Sequence, residues 1–200
     1  MGIDPGALFA FVCGQIPEHT WAPGGMPLHV CQRCTGLYAG AAVALLLHAL
    51  LRLRPSDRMV ALHAVFLLPM VPLGYHWLPQ DGLARTLSGI LFGAGVVDFL
   101  WVNPARRIRA TRLPDRADWG RYVAALAITL VAVPLLALRG DARAAWLLDA
   151  LAVAGFAALV LLVLANLALA LRFIAAPGGS RGARAAPPAR RDPRGAAPRR

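Results

Sequence analysis

The chain has 200 residues, of which 58% are hydrophobic and only 16% charged, and its mean hydropathy is +0.57. That apolar share is too high for an ordinary water-soluble domain. The formal net charge is +11 and every basic residue is Arg, yet the arginines stand between apolar runs without aromatic or fold support for a nucleic-acid site.

Residues 1–12, MGIDPGALFAFV, hold a short apolar run without a basic start. This reads as an interfacial helix or a re-entrant turn and not as a cleaved signal peptide. Five longer apolar runs follow. The first, Thr35 to Leu51, is about the minimum that crosses the hydrocarbon. The second, Met59 to Leu78, contains Pro69 and Pro72, which predict a kink. The third, Leu83 to Val102, should stop at Asn103-Pro104, and a polar, arginine-rich loop comes next. The fourth covers Tyr122 to Leu138. The fifth, Ala144 to Ile174, is longer than a span needs, so it tilts or projects. From Pro177 the tail has no apolar residue larger than Ala and should be disordered. The expected fold is all-α: an integral membrane bundle of about five transmembrane helices. A Cys-rich extracytoplasmic or interfacial segment (1–34) should precede the bundle (35–174), and a disordered basic tail (175–200) should follow it.

Seventeen arginines fall on the side of the bundle opposite the N-terminus, and four fall on the N-terminal side. The excess of arginine marks the cytoplasmic side, so the expected orientation is N-terminus out and C-terminus in, in the cell's inner (cytoplasmic) membrane. The expected partners are the lipid bilayer and, at the arginine-rich loop and tail, anionic lipid headgroups. No nucleic-acid partner is expected. The sequence shows no nucleotide loop, hydrolase elbow, zinc-protease motif or haem attachment motif, and no transporter-type repeat. A transporter of five short spans would need to assemble, so the chain could form a homo-oligomer.

All three cysteines lie within residues 13–34. Cys31-Gln32-Arg33-Cys34 has the C-x-x-C spacing, which lets two thiolates grip one soft metal ion in a tight turn. The same spacing at a helix start lowers a thiol pKa and supports disulfide exchange. A helix opening at Thr35-Gly36 would favour thiolate at Cys34. Cys13 offers a third sulfur. One imidazole would complete a tetrahedral site for a transition metal, zinc first, with His19 and His29 as local candidates and His76 as the distant one. A Cys31–Cys34 disulfide and inert thiols are the other readings of these residues.

Cys13-Gly14-Gln15-Ile16-Pro17-Glu18-His19-Thr20-Trp21, followed by Cys31-Gln32-Arg33-Cys34-Thr35-Gly36-Leu37-Tyr38-Ala39-Gly40, resembles the signature of a family of small prokaryotic membrane proteins of unknown function. The family pattern reads roughly C-H-Q-x-P-E-R-S-F and then C-x-R-C-T-G-x-Y-x-G. Arg85-Thr86-Leu87-Ser88-Gly89 resembles its later R-x-x-T-G segment. The likeness spans about residues 9–100 and implies a helical membrane fold; it brings no reaction with it. Two positions depart from the pattern: Gly14 stands where the family has His, and His19 where it has Arg.

Within the spans, His48, His63 and Asp98 fall at a similar depth, about a turn inside the arginine-rich interface. Together they would bind a cation or relay a proton; separately they would be wet or paired for packing. His76, Asp81, Arg85, Thr86 and Ser88 lie near the opposite interface, where Trp21, Tyr75 and Trp77 would anchor. Gly36 with Gly40 and Gly89 with Gly93 form small-x-x-x-small pairs that would let the first and third spans approach closely. Asn166, deep in the last span, should bond between helices.

Overall fold

A computed structural model of the chain describes residues 5–75, 77–108 and 111–175. Among these the fold is all-helical: α1 Pro5–Phe9, α2 Gln32–Leu50, α3 Asp57–Leu67, α4 Met70–Gly74, α5 Gly82–Arg107, α6 Arg116–Arg139 and α7 Ala142–Ala175. Taken with α4 as one interrupted segment, α3 is one of five spans long and apolar enough to cross a membrane; the others are α2, α5, α6 and α7. The expected kink falls at Leu68-Pro69, between α3 and α4. His76 and the tail from residue 176 lie outside the described residues.

The most extensive packing is between α2 and α5. Its cause is the four glycines read as small-residue pairs. A Cβ at Gly36 would overlap the Thr86 carbonyl, one at Gly40 the Ile90 carbonyl, one at Gly89 the Arg33 carbonyl and one at Gly93 the Leu37 carbonyl. The two backbones are therefore in contact, which is how helices associate where lipid is as apolar as the side chains. On its other side α2 meets α7, where a Cβ at Gly155 would overlap the Tyr38 carbonyl. Ala39, Ala41, Ala44, Ile90, Ala94 and Val97 fill the seam and are buried. Outward-facing Ile128, Val131 and Leu138 on α6 and Leu147, Leu161, Leu164 and Phe173 on α7 are exposed and form the lipid-facing surface.

Three helix bounds differ from those read in the sequence. First, α2 starts at Gln32 with Cys31 as its N-cap, so Cys34 sits in the first turn instead of before it. Second, α5 runs through Pro104 to Arg107 instead of stopping at Asn103. Proline removes the N–H that the Leu100 carbonyl would accept, and Asn166 Nδ2 of α7 supplies a replacement at 2.7 Å. Asn103 Nδ2 in turn donates to Asn166 Oδ1 at 3.1 Å. Third, α6 begins at Arg116, well before Tyr122, because Asp115 and Asp118 form a reciprocal capping box. Arg112 clamps Asp118 with two guanidinium bonds of 2.5 and 3.0 Å. With 34 residues, α7 is about 51 Å long against a hydrocarbon core of about 30 Å, so it tilts or projects.

Replacing Gly40 by Val inserts side-chain atoms into a backbone contact and should destabilise the bundle by about 1–3 kcal/mol or more. Gly74→Ala, where nothing lies within 4 Å of the added carbon, should be close to neutral. Unfolding in mixed micelles measures both.

Candidate three-thiol site and interior polar cluster

The cysteines meet at the face of the bundle that carries the start of α2. Phe9, at the end of α1, is fully buried and packs on Tyr38 and Phe156, with ring centroids 5.5 and 5.6 Å away. That anchor fixes the chain just before Cys13, whose N–H donates to the Phe9 carbonyl at 2.9 Å. Residues 20–31 fold back on themselves: the Leu28 N–H donates to the Trp21 carbonyl at 2.9 Å, and Thr20 pairs with Cys31 in an antiparallel bridge. Trp21 Nε1 donates to Thr86 Oγ1 at 2.9 Å, which ties this loop to α5. Gln15 Nε2 donates to the carbonyls of Gly6 (2.8 Å) and His29 (2.9 Å), stitching α1 to the returning strand.

The three cysteines are free thiols, and their Sγ atoms all lie within 4.8 Å of one another. Cys13 is buried, and Cys31 and Cys34 are half-buried. The Cys31 N–H donates to Cys13 Sγ at 3.2 Å. The Cys31 thiol is lowered to about 5, first because the Cys34 side chain hydrogen-bonds to it. Burial opposes this shift, while the Cys34 N–H, the Cys13 thiol and the Arg33 N–H assist it. The preferred thiolate is therefore at the helix N-cap, Cys31, and not at Cys34 as the sequence suggested.

Neither local histidine joins the sulfur group. The His29 N–H donates to Asp149 Oδ1 at 3.1 Å, and its Nδ1 pairs with Asp149 Oδ2 at 2.7 Å, fastening the loop to α7. His19 lines a pocket of about 260 Å³ together with Cys31, Gly14 and Gln15. Arg33 and Arg85 line the same pocket, and the sequence reading had assigned neither of them to the cysteine site. The clue available was their place in the C-x-R-C-T-G and R-x-x-T-G segments.

A second polar cluster lies inside the bundle towards the arginine-rich face. His48 of α2, His63 of α3 and Asp98 of α5 are completely buried and converge as their common depth suggested. His48 Nε2 is 3.1 Å from Asp98 Oδ1, and His63 Nδ1 is 3.6 Å from Asp98 Oδ2. His63 is satisfied along its own axis: Nδ1 donates to the Met59 carbonyl at 2.8 Å, and Nε2 accepts from the Tyr122 hydroxyl at 2.5 Å. Tyr122 could not be foreseen, because depth along a helix says nothing about which way a residue faces. Above the cluster, Trp101 Nε1 donates to the Leu53 carbonyl at 2.8 Å. The Arg112 N–H and the Arg52 carbonyl (2.9 Å), with the Arg54 N–H and the Arg112 carbonyl (2.8 Å), close the arginine-rich face.

These features define a polytopic helical membrane protein with a three-thiol cluster at one face and a buried His–Asp–His cluster nearer the other. Residues 13–99 match the model of a family described as "Predicted membrane protein (DUF2085)". The family that the motif stretches resemble is thus the one whose model the chain matches, and the matched segment runs from the first cysteine to just past Asp98. An uncharacterized protein of Methanothermobacter thermautotrophicus is 28% identical over 92 residues, which is 44% of this chain and 83% of that protein. No solved structure matches the chain.

In the metal-free, reduced protein, alkylation of Cys31 should stay fast as pH falls from neutral and slow only as pH drops through about 5, since the thiolate is the reactive form. An ordinary thiol loses reactivity below about 8.5. Mass mapping of iodoacetamide adducts against pH checks this. Removing the carboxylate with Asp98→Ala leaves both imidazoles without their shared partner and should cost about 3–5 kcal/mol in detergent unfolding.

Proposed function

We propose that this membrane protein binds a transition metal, zinc, through Cys13, Cys31 and Cys34. The observation that carries the reading is three free thiols gathered within 4.8 Å, from two chain segments separated by a folded loop. A tetrahedral zinc with bonds of about 2.3 Å places its sulfurs about 3.8 Å apart, so a small contraction closes the site. The Cys31 N–H on Cys13 Sγ is the kind of outer hydrogen bond that orients a thiolate ligand. The fourth position falls to a local nitrogen, with His19, which lines the same pocket as Cys31, the candidate among the described residues, or to an exogenous ligand. The arginine asymmetry supports a reading in which this face lies outside the cytoplasm, in an inner-membrane protein. The role is structural or one of metal handling, because among the described residues no general base joins the sulfur group. The arginine-rich face would rest on anionic lipid, and assembly into a homo-oligomer fits so small a bundle.

One observation favours a second reading, thiol–disulfide exchange. The Cys34 thiol donates to Cys31, the arrangement of an attacking thiolate and a resolving thiol. Cys31 would open a substrate disulfide to a mixed disulfide, and Cys34 would release the reduced substrate and leave a Cys31–Cys34 bond.

Native mass spectrometry of untagged protein, extracted gently and without chelator, separates the two. One zinc per chain with three free thiols, lost in Cys31→Ser, is the result expected of the metal site. A metal-free mass lowered by one pair of hydrogens overturns it in favour of the disulfide.

A further inference from the structure

We infer that the pocket beside the thiols is a binding site for a phosphoryl oxyanion, held between Arg33 and Arg85. The glycine seam brings the first turn of α2 against the first turn of α5, and so brings the two guanidinium groups to one cavity of about 260 Å³. Among the described residues no carboxylate lines that cavity, and Cys31 is its one acidic side chain. Among the described residues, neither arginine has an ion-pair partner, and the Nε atoms of both are buried with no hydrogen-bond acceptor. Two guanidinium groups without an ion-pair partner thus share one cavity, and an anion placed between them balances their charge.

Other features of the pocket fit an anion. Arg33 is already aimed: its Nη2 donates to the Leu73 carbonyl at 3.1 Å and to Gln80 Oε1, which fixes the guanidinium plane while leaving Nε free. His19 also lines the cavity and offers a ring nitrogen. At the rim, Gln15 holds φ at +47°, a left-handed backbone rarely adopted by a residue with a side chain, and its two amide bonds keep it there. A planar carboxylate is satisfied by one guanidinium fork, whereas a phosphoryl group has acceptors for two forks and more charge to balance them.

The phosphoryl group could belong to a free phosphate or to a lipid headgroup. Ile16 lines the pocket, and Phe11 and Val12, a few residues earlier in the chain, are exposed, 93% and 53%, which offers apolar surface to an acyl or prenyl chain. Cys31 and His19 line the cavity as well as serving the proposed metal site, but the inference rests on Arg33 and Arg85, which are not among the proposed metal ligands.

The test uses full-length protein in phosphate-free detergent. Inorganic phosphate is titrated by calorimetry, and retention of phosphatidylglycerol from mixed micelles is read by native mass spectrometry. The expected result is one anion per chain, with affinity lowered about tenfold or more in Arg33→Gln and in Arg85→Gln. Arg85→Lys should restore part of the affinity, and Arg139→Gln, an arginine of the same face outside the pocket, should change nothing. Binding of inorganic phosphate identifies a free oxyanion as sufficient; retention of the lipid alone, lost in the same variants, identifies a headgroup. The double variant Cys13→Ser, Cys34→Ser should lose metal and keep the anion. Absence of both probes from the wild type, or equal binding in wild type and both glutamine variants, overturns the inference.

Discussion

Everything at the cysteine face depends on how closely α2 and α5 approach. Four glycines remove the side chains that would otherwise hold the two backbones apart, and each faces a carbonyl of the partner helix. In hydrocarbon, burial of apolar surface gives no net drive for helices to associate, so this contact has to come from close packing. The seam aligns the start of α2 with the start of α5, which sets Arg33 beside Arg85 and lets Trp21 reach Thr86. At the far end the same two helices, joined by α3, bring His48 and His63 onto Asp98. One packing constraint thus builds two polar centres at different depths.

The polar centres differ in how their groups are satisfied. In the interior, a carboxylate lies between two imidazoles, and one imidazole is held by a carbonyl and a tyrosine hydroxyl. The other imidazole, of His48, lies 3.1 Å from Asp98 Oδ1, but neither it nor the carboxylate makes a hydrogen bond of good geometry, so the cluster is only partly satisfied. At the cysteine face the balance is left open. The thiols have each other and a few backbone N–H groups, and each arginine keeps an Nε without an acceptor. The proposed metal and anion would complete this arrangement of donors beside soft ligands.

Much of the fold was legible in the sequence because the bilayer limits what an apolar run can become. The five spans, the kink near Pro69, the glycine pairs and the helix-bridging role of Asn166 all follow from residues alone. The helix ends were less legible. Pro104 looked like a stop because its effect on Leu100 could be judged only with the neighbouring helix in view, and Asn166 cancels that effect. Asp115 and Asp118 start α6 early through a local device that the arginine-rich composition of the loop concealed. At the site, the three cysteines were evident from their spacing, and His19 and His29 from their nearness in sequence. The pairing of His29 with Asp149 was not, since it joins residues 120 positions apart. The two arginines were passed over because an arginine near an interface ordinarily reads as an anchor. Only the packing of α5 on α2 shows that they share a cavity.

The central claim is that three sulfurs from two distant segments serve one metal ion. X-ray absorption at the zinc edge of the purified protein tests it most directly, because it counts the atoms bound to the metal. The account predicts three sulfur scatterers at about 2.3 Å and one lighter ligand per zinc. A zinc surrounded by oxygen and nitrogen alone, or by fewer than three sulfurs, would contradict it.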